Sequence, residues 1–192
     1  VPIKETFPLQ GQSPYSASKI AADKVAESYF NSFDLPLVIA RPFNNYGPRQ
    51  SARAFIPTVI LQALYGDKIM HGSLHPTRDY LYAEDTADAY FTLAKASNVN
   101  GKTVNLGTSK EWSMGDILKT IVALSGRDVQ LVEDPARIRP NKSEVLRLNA
   151  NIDLMTELTG WKPKVSFEEG LRKTMEWYKL NRTYSDVNRY HK

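Results

Sequence analysis

Apolar residues near the start of the chain recur at helical spacing and then merge into a short continuous run. The helical set follows Ser13 and Pro14, which suit the N-cap and the first helical position. Its members are Ala17, Ile20, Ala21, Val25, Tyr29 and Phe30. They predict an amphipathic helix that ends near Phe33. The run "LPLVIARP" at 35–42 lies between prolines and is typical of a strand buried on both faces of a parallel sheet.

The rest of the chain continues this alternation of helical and extended patterns. Helices are predicted over 52–65, 83–96, 113–125, 150–159 and 166–180. Extended segments are predicted over 79–82, 102–107 and 128–133. Such alternation predicts an α/β fold with a parallel sheet. The polar tail 181–192 is predicted to be loose.

Composition excludes several classes of protein. The chain has 192 residues, of which 42% are hydrophobic and 24% charged, a balance typical of globular proteins. No cysteine is present, so disulfides and thiolate metal sites are excluded, which suits a cytoplasmic location. The histidines show no metal-ligand spacing, so no metal is predicted. The apolar runs are too short to cross a membrane, and the net charge of +4 requires no nucleic acid partner.

The segment "SPYSASK" places Tyr15 and Lys19 four residues apart, on one face of the predicted helix. An ammonium beside a phenol favours the phenolate, which can remove a proton from a sugar hydroxyl. The alternative is a solvated surface pair, because this spacing is common in helices. The spacing alone therefore leaves both interpretations open.

Further motifs follow in a fixed order: "RPFNNYGPRQ", "PTRDYLYAEDTADA", "VNLG", "RPNKSE" and "GWKPKVSFEEGLRKTMEWY". This series resembles the extended short-chain dehydrogenase/reductase family, within it the nucleotide-sugar 4,6-dehydratases and their epimerase relatives. "GPRQSARAFIPT", "GSLHPTRD" and "RPNKSEVLRL" are most similar to N-acetylglucosamine-nucleotide 4,6-dehydratases of the legionaminic-acid type.

The resemblance implies part of a Rossmann-like parallel sheet joined to a small α/β substrate-binding domain. Residues 1–50 would be the remnant of the NAD-binding domain. Residues 51–180 would mainly form the substrate-binding domain, with some segments returning to the sheet, and 181–192 would be a polar tail. The family usually forms homodimers through a helical bundle that includes the Tyr/Lys helix.

The same resemblance implies roles at the cofactor. Tyr15 would be the general base at the sugar 4-hydroxyl. Lys19 would support it and bind the nicotinamide ribose of NAD, so both residues would be catalytic and cofactor-binding. Pro42 and Phe43 stand where the family loop passes the nicotinamide.

On the substrate side, Asn44, Arg78 and Arg139 match residues that meet the diphosphate of the nucleotide sugar. His71 falls where the family often places a residue against the base, and Asn105 would be a further nucleotide contact. A charged guanidinium suits phosphate oxygens independently of any resemblance.

Each substrate-side assignment has a structural alternative. Arg78 could form a surface ion pair with Asp79. Asn44 could belong to a turn, since asparagine tolerates left-handed backbone. Arg139 could be a solvated loop residue, and His71 needs no ligand to explain it.

The sequence departs from the family because its glycines never form the GxxGxxG turn that holds a dinucleotide pyrophosphate. The family's catalytic Ser or Thr and its dehydrating acids would precede residue 1. The resemblance therefore implies the C-terminal portion of a longer lyase, inactive by itself. That enzyme would convert UDP-N-acetylglucosamine or a related sugar to its 4-keto-6-deoxy form in surface polysaccharide biosynthesis. The alternatives are a 4-epimerase or decarboxylase of the same family, and a non-catalytic sugar-nucleotide-binding module.

Overall fold

A computed structural model describes residues 1–138 and 144–181. The described residues form six α-helices: α1 (Pro14–Phe33), α2 (Phe55–Tyr65), α3 (Ala83–Lys95), α4 (Met114–Ser125), α5 (Asp153–Thr159) and α6 (Phe167–Leu180). Their strands are β1 (Ile39–Pro42), β2 (Asn44–Tyr46), β3 (Lys68–His71), β4 (Thr77–Arg78), β5 (Tyr80–Tyr82), β6 (Thr103–Leu106), β7 (Trp112–Ser113), β8 (Gln130–Glu133) and β9 (Arg147–Leu148). Every predicted helix is confirmed, and the predicted extended segments contain β1, β5, β6 and β8.

The strands pair mostly in parallel, as the alternating pattern predicted. β1 pairs with β6, β2 with β5 and β3 with β8, all in parallel. β4 lies between the antiparallel β7 and the parallel β9. Parallel partners need a crossover connection, and helices supply it in α/β proteins. The α/β fold class is therefore confirmed.

The buried apolar side chains form two clusters. The first gathers the inner faces of α2, α4 and α6 around Tyr46 of β2 and Ile69 of β3. The second gathers α3, β6 and α5 around Leu81 of β5 and Trp161. Tyr46 belongs to the first cluster and Ala40 packs against the second, and the other buried members of both clusters follow position 50. The division at residue 50 stays a prediction.

Helix α1 begins and ends where the sequence predicted. Ser13 and Ser16 form a reciprocal capping box, in which Ser16 N donates to Ser13 Oγ over 3.2 Å and Ser13 N donates to Ser16 Oγ over 2.9 Å. Asp34 ends the helix in a left-handed conformation.

The packing of this region differs from the prediction. None of the α1 residues is buried, and Tyr15 and Phe33 are 72% and 73% exposed. The four residues of β1 are only half-buried, so the prediction of a strand buried on both faces is wrong. The physical reason is that β1 has one strand neighbour, β6, among the described residues.

None of the helices within 1–138 and 144–181 is both long and apolar enough to cross a membrane. Within the same ranges, no three His, Asp or Glu side chains come together as possible metal ligands.

Candidate functional site

A cavity of about 370 Å³ opens between the start of α2, the end of β3 and strand β4. Three predicted substrate contacts line it: Asn44 at the start of β2, His71 at the end of β3, and Arg78 at the end of β4. The fold thus brings together polar side chains from three strands that belong to three different sheets.

Arg78 is held in the cavity wall by an ion pair and two carbonyls. Its Nη2 donates to Glu144 Oε1 over 2.9 Å, and both side chains are more than four-fifths buried. Its Nη1 donates to the carbonyls of Val145 and Thr77 over 2.6 and 2.8 Å. Glu144 therefore neutralises the guanidinium, and the alternative of an Arg78–Asp79 surface pair is wrong.

Asp79 is fully buried and anchors β4 beside the cavity. Its carboxylate accepts hydrogen bonds from Thr108 N and Oγ1, from Ser109 N and from Ala150 N, over 2.7–3.2 Å. Burial raises the pKa of the Asp79 carboxyl, and these hydrogen bonds oppose the rise. The bonds tie β4 to the loop after β6 and to the segment after β9, which fixes the backbone that carries Arg78.

Asn44 and His71 are each held by hydrogen bonds to a backbone carbonyl. The Asn44 backbone N–H donates to the Asp79 carbonyl over 3.1 Å, and its Nδ2 reaches the same oxygen over 3.4 Å. His71 Nδ1 lies 2.9 Å from the Gly72 carbonyl. Because a carbonyl only accepts, Nδ1 is the donor in this contact.

Asn105 does not line this cavity, and its expected role as a nucleotide contact stays a prediction. Its side chain is 3% exposed and lies outside the cavity lining. Its Nδ2 donates to the Ile3 carbonyl over 3.0 Å, and its backbone N–H donates to Glu5 Oε1 over 2.9 Å. Asn105 therefore fastens the N-terminal segment to β6. The remaining predicted contact, Arg139, lies outside the described residues.

Tyr15 and Lys19 share an exposed face of α1, away from the cavity lining. Lys19 Nζ lies 5.7 Å from the centroid of the Tyr15 ring, within the range of a cation–π contact. Pro42 ends β1, and the Phe43 N–H donates to the Leu106 carbonyl over 2.8 Å, which continues the β1–β6 pairing. The cofactor-side roles of these four residues stay predictions.

The cavity is also lined by polar residues to which the sequence gave no role, among them Gln50, Arg53, Arg137 and Glu144. Gln50 Nε2 donates to the Asn45 carbonyl over 2.8 Å, and its buried Oε1 has no hydrogen-bond donor within 1–138 and 144–181. Such an atom can accept a hydrogen bond from a ligand. The quoted motif "GPRQSARAFIPT" contained Gln50 and Arg53, but no spacing rule gave either residue a role.

Arg137 reaches the cavity because Gly72 allows a close backbone approach. Arg137 ends a short 3-10 helix, Pro135–Arg137, and its Nε donates to Asp134 Oδ2 over 3.1 Å. A Cβ at Gly72 would lie 2.9 Å from the Arg137 carbonyl carbon and nearer still to its oxygen. Only glycine fits there without displacing the 3-10 helix.

The chain is similar to known proteins over most of its length. Residues 1–174 match the family model described as GDP-mannose 4,6 dehydratase. The chain is 36% identical to dTDP-glucose 4,6-dehydratase of Neisseria gonorrhoeae, across 93% of this chain and 54% of that protein. It is 34% identical to the human dTDP-D-glucose 4,6-dehydratase, across 92% of this chain and 51% of that protein. The chain thus spans about half the length of the curated relatives it matches.

Proteins of known structure show the same fold. The chain aligns with Pal from Bacillus thuringiensis at a TM-score of 0.86 and 33% identity, covering 93% of this chain and 57% of that one. It aligns with dTDP-glucose 4,6-dehydratase from Bacillus anthracis, determined in complex with NAD, at a TM-score of 0.83 and 31% identity. That alignment covers 94% of this chain and 57% of the other. The chain therefore belongs to the GDP-mannose 4,6 dehydratase family, whose model matches it from residue 1 to residue 174.

Proposed function

We propose that this chain provides the substrate-binding cavity and the Tyr/Lys pair of an NAD-dependent nucleotide-sugar 4,6-dehydratase, and that the substrate is UDP-N-acetylglucosamine. The observation that carries the proposal is the cavity itself, where Asn44, His71 and Arg78 converge from three strands. Its volume of about 370 Å³ lies within the usual range of small-molecule sites.

The choice of sugar rests on where three motifs lie. The segments that resemble N-acetylglucosamine-nucleotide 4,6-dehydratases span 47–58, 72–79 and 139–148. The described residues of all three contribute to the cavity lining, through Arg53, Arg78 and Glu144 among others. The two curated relatives named above are dTDP-glucose 4,6-dehydratases, so these segments are where a different sugar specificity would be expressed.

On the cofactor side, the residues present fit one end of a dinucleotide. Tyr15 and Lys19 are exposed on one face of α1, where a phenol and an ammonium can reach a ribose and a sugar hydroxyl. Bound NAD would supply the hydride acceptor of the reaction. The charge of Lys19 stabilises the Tyr15 phenolate, which takes the proton of the sugar 4-hydroxyl and becomes a neutral phenol. The 192 residues contain no glycine-rich turn for the pyrophosphate of the dinucleotide.

Calorimetric titration of this chain tests the substrate assignment. We expect UDP-N-acetylglucosamine to bind more tightly than UDP-glucose, dTDP-glucose or GDP-mannose. Asn44→Ala should weaken binding, whereas Asn98→Ala, on an exposed turn outside the cavity lining, should not. Equal affinity for all four compounds would contradict the sugar assignment, and tighter binding of dTDP-glucose would replace it.

We further propose that the 192 residues alone bind the nucleotide without turning it over, because the pyrophosphate cradle and dehydrating acids are missing from this sequence. Incubation with NAD and UDP-N-acetylglucosamine should give no 4-keto-6-deoxy sugar by mass spectrometry. Product formation that Tyr15→Phe abolishes would contradict the proposal of inactivity and would support the role of Tyr15.

The complete enzyme is proposed to be a cytoplasmic homodimer that uses α1 in its interface. The apolar side chains that α1 leaves exposed, Val25, Tyr29 and Phe33 among them, are compatible with such a contact. Light scattering of this chain over a range of concentrations gives the test. A mass that stays near 21.7 kDa at every concentration would count against self-association through this helix.

A further inference from the structure

Helix α1 carries the Tyr/Lys pair, yet none of its residues is buried. The α1 side chains that are partly covered fall on one line along the helix. They are Ser16, Ile20, Asp23, Ala26 and Phe30, and we call them the inner stripe. Because they are three or four residues apart, they share the face that α1 turns toward the rest of the chain. The direction in which α1 presents Tyr15 and Lys19 therefore depends on what holds the inner stripe in place.

Asp23 is the charged member of the inner stripe, and it pairs with Arg41 of β1. Arg41 Nε donates to Asp23 Oδ2 over 2.7 Å, and the two side chains are 23% and 24% exposed. Arg41 Nη1 also reaches the Glu5 carbonyl over 3.4 Å. Water screens such a pair less than it screens an exposed one, so the attraction is stronger than at the surface. Loss of either partner would leave the other charge partly covered and uncompensated.

The strand that carries Arg41 is itself anchored. β1 pairs in parallel with β6, where Arg41 lies in register with Asn105. The Asn105 N–H donates to Glu5 Oε1 over 2.9 Å, so Glu5 meets β6 through its carboxylate and Arg41 through its carbonyl. Ala40, the preceding residue of β1, packs against the second apolar cluster. Arg41 therefore has a fixed position, and its pair with Asp23 passes that position on to α1.

Phe30 holds the end of α1 by an apolar contact, whereas a cavity lies beneath its first half. Phe30 packs against the Gly101 backbone, where an added Cβ would lie 2.4 Å from the ring. Nearer the start, a cavity of about 520 Å³ lies between α1, β1 and the N-terminal segment, and Ile20 and Asp23 line it. A cavity of this size removes close packing that would otherwise fix the helix. A helix held near its end can still swing or rotate, and the Asp23–Arg41 pair is a second point that restricts both motions.

We propose that Asp23 and Arg41 are positioning residues for the Tyr/Lys pair, because their ion pair fixes the rotation of α1 and with it the direction of that pair. Tyr15, Lys19 and Asp23 follow one another at intervals of four residues, so a rotation of the helix at Asp23 moves all three together. The control of α1 stands apart from the proposed function. Its consequence for proton removal rests on that function, since a proton is transferred only when its acceptor is held at hydrogen-bonding distance.

Spin labels on this chain test the proposal, because the sequence has no cysteine and two introduced ones can be labelled selectively. Ala22→Cys lies on the exposed face of α1, seven residues after Tyr15, and Lys119→Cys is exposed on α4. Pulsed electron paramagnetic resonance then gives the distribution of distances between the labels. A side chain reaches about 5–6 Å from the helix axis, so a rotation of α1 by about 40° would move its label by about 4 Å. We expect Asp23→Asn and Arg41→Gln to displace or broaden the distribution by about that amount, and Arg41→Lys, which keeps the charge, to preserve most of it.

Lys24→Gln is the matched control, because it breaks the exposed Lys24–Glu27 pair one position further along the same helix. It should leave the distribution unchanged. A reference pair of labels at Lys119→Cys and Lys162→Cys, both exposed and outside α1, shows whether the rest of the fold stays intact in each variant. We expect the distance distribution of this reference pair to be the same in every variant.

Two results would overturn the proposal. One is an unchanged α1 distribution in both Asp23→Asn and Arg41→Gln. The other is an equal change in the reference pair, which would mean that the ion pair supports the whole fold and not α1 in particular. Neither result depends on ligand binding, so the proposed function would still be decided by calorimetry alone.

Discussion

The contact between Gly170 of α6 and Tyr46 of β2 gives the sharpest test of how the core is packed. A Cβ at Gly170 would overlap the Tyr46 hydroxyl and lie 2.8 Å from Cζ of that ring and 3.0 Å from Cδ2 of Tyr82. Tyr46 cannot retreat, because it is buried against Tyr80, Tyr82 and Phe167, with ring centroids 5.2–6.0 Å away. Gly170→Ala should therefore destabilise the fold.

The size of the effect follows from three contributions. Alanine is favoured over glycine inside a helix by about 1 kcal/mol. Forcing an extra methyl group into a packed core costs about 1–3 kcal/mol. Displacing the Tyr46 hydroxyl also breaks its 3.0 Å hydrogen bond to the Phe167 carbonyl, which costs about 1 kcal/mol. We expect Gly170→Ala to lower the free energy of unfolding by about 1–3 kcal/mol.

Urea denaturation measures this change, and Gly115→Ala in α4 is the matched control. A Cβ at Gly115 would meet its nearest neighbours, in Leu74, at 3.5 Å, which is an ordinary contact. The same substitution there should be neutral or should stabilise the chain by at most about 1 kcal/mol. Loss of stability in both variants would point to a general intolerance of alanine rather than to the Tyr46 contact.

A double-mutant cycle isolates the contact. Tyr46→Phe removes the hydroxyl that the new methyl group would strike. In that background Gly170→Ala should cost at least about 1 kcal/mol less than in the wild type. If Gly170→Ala lowers the free energy of unfolding by the same amount in both backgrounds, within about 0.5 kcal/mol, the clash with the Tyr46 hydroxyl is refuted as the cause.

Three further predictions concern the charges around β4. Asp79→Asn should lower the free energy of unfolding in urea by about 2–4 kcal/mol, because an amide N–H₂ would face N–H donors. The Arg147 guanidinium holds the pKa of the Glu111 carboxyl below its usual range, so this pair stabilises the fold above about pH 4.3, the ordinary glutamate value. That stabilisation is lost as pH falls through the lower folded pKa. Glu111→Gln should therefore flatten the fall in Tm on acidification, and a curve of unchanged shape would contradict this. Glu144→Gln should free the charge of Arg78, so UDP should bind several-fold more tightly in calorimetry, and unchanged affinity would count against neutralisation by Glu144.

The helix boundaries could be predicted because their signals are local. Ser13 and Pro14 at the start of α1, and Ser166 at the start of α6, act within one turn of their own position. The strands β2, β3, β4, β7 and β9 were not predicted. Four of them have only two or three residues, and the four residues of β3 show no alternation of apolar and polar positions. Their pairing depends on partners up to 70 residues away in the chain, such as Thr77 with Arg147.

The burial of α1 and β1 could not be predicted for a related reason. An apolar pattern indicates which face of a helix or strand can be buried, but not whether a neighbour covers it. The face of α1 that carries Val25 is exposed among the described residues, although its spacing is that of a packed helix. Sequence reasoning therefore predicted the element and missed its surroundings.

In the candidate site, the sequence likewise did not indicate which partners the polar side chains have. Asn44, His71 and Arg78 could be selected by resemblance, but the partner of Arg78 lies 66 residues further along the chain and follows no spacing rule. Asn105 matched a family position as well as Asn44 did. Its amide nevertheless holds the Ile3 carbonyl instead of facing the cavity.

Burial explains why Arg78 has a carboxylate partner while Arg53 has none among the described residues. A guanidinium that is 13% exposed has lost most of its hydration, and it needs a carboxylate and carbonyls to compensate, as Arg78 has in Glu144. An exposed guanidinium such as that of Arg53 keeps its water and does not need such a partner. The pairing of an arginine in this cavity therefore follows its burial, which no motif in the sequence encodes.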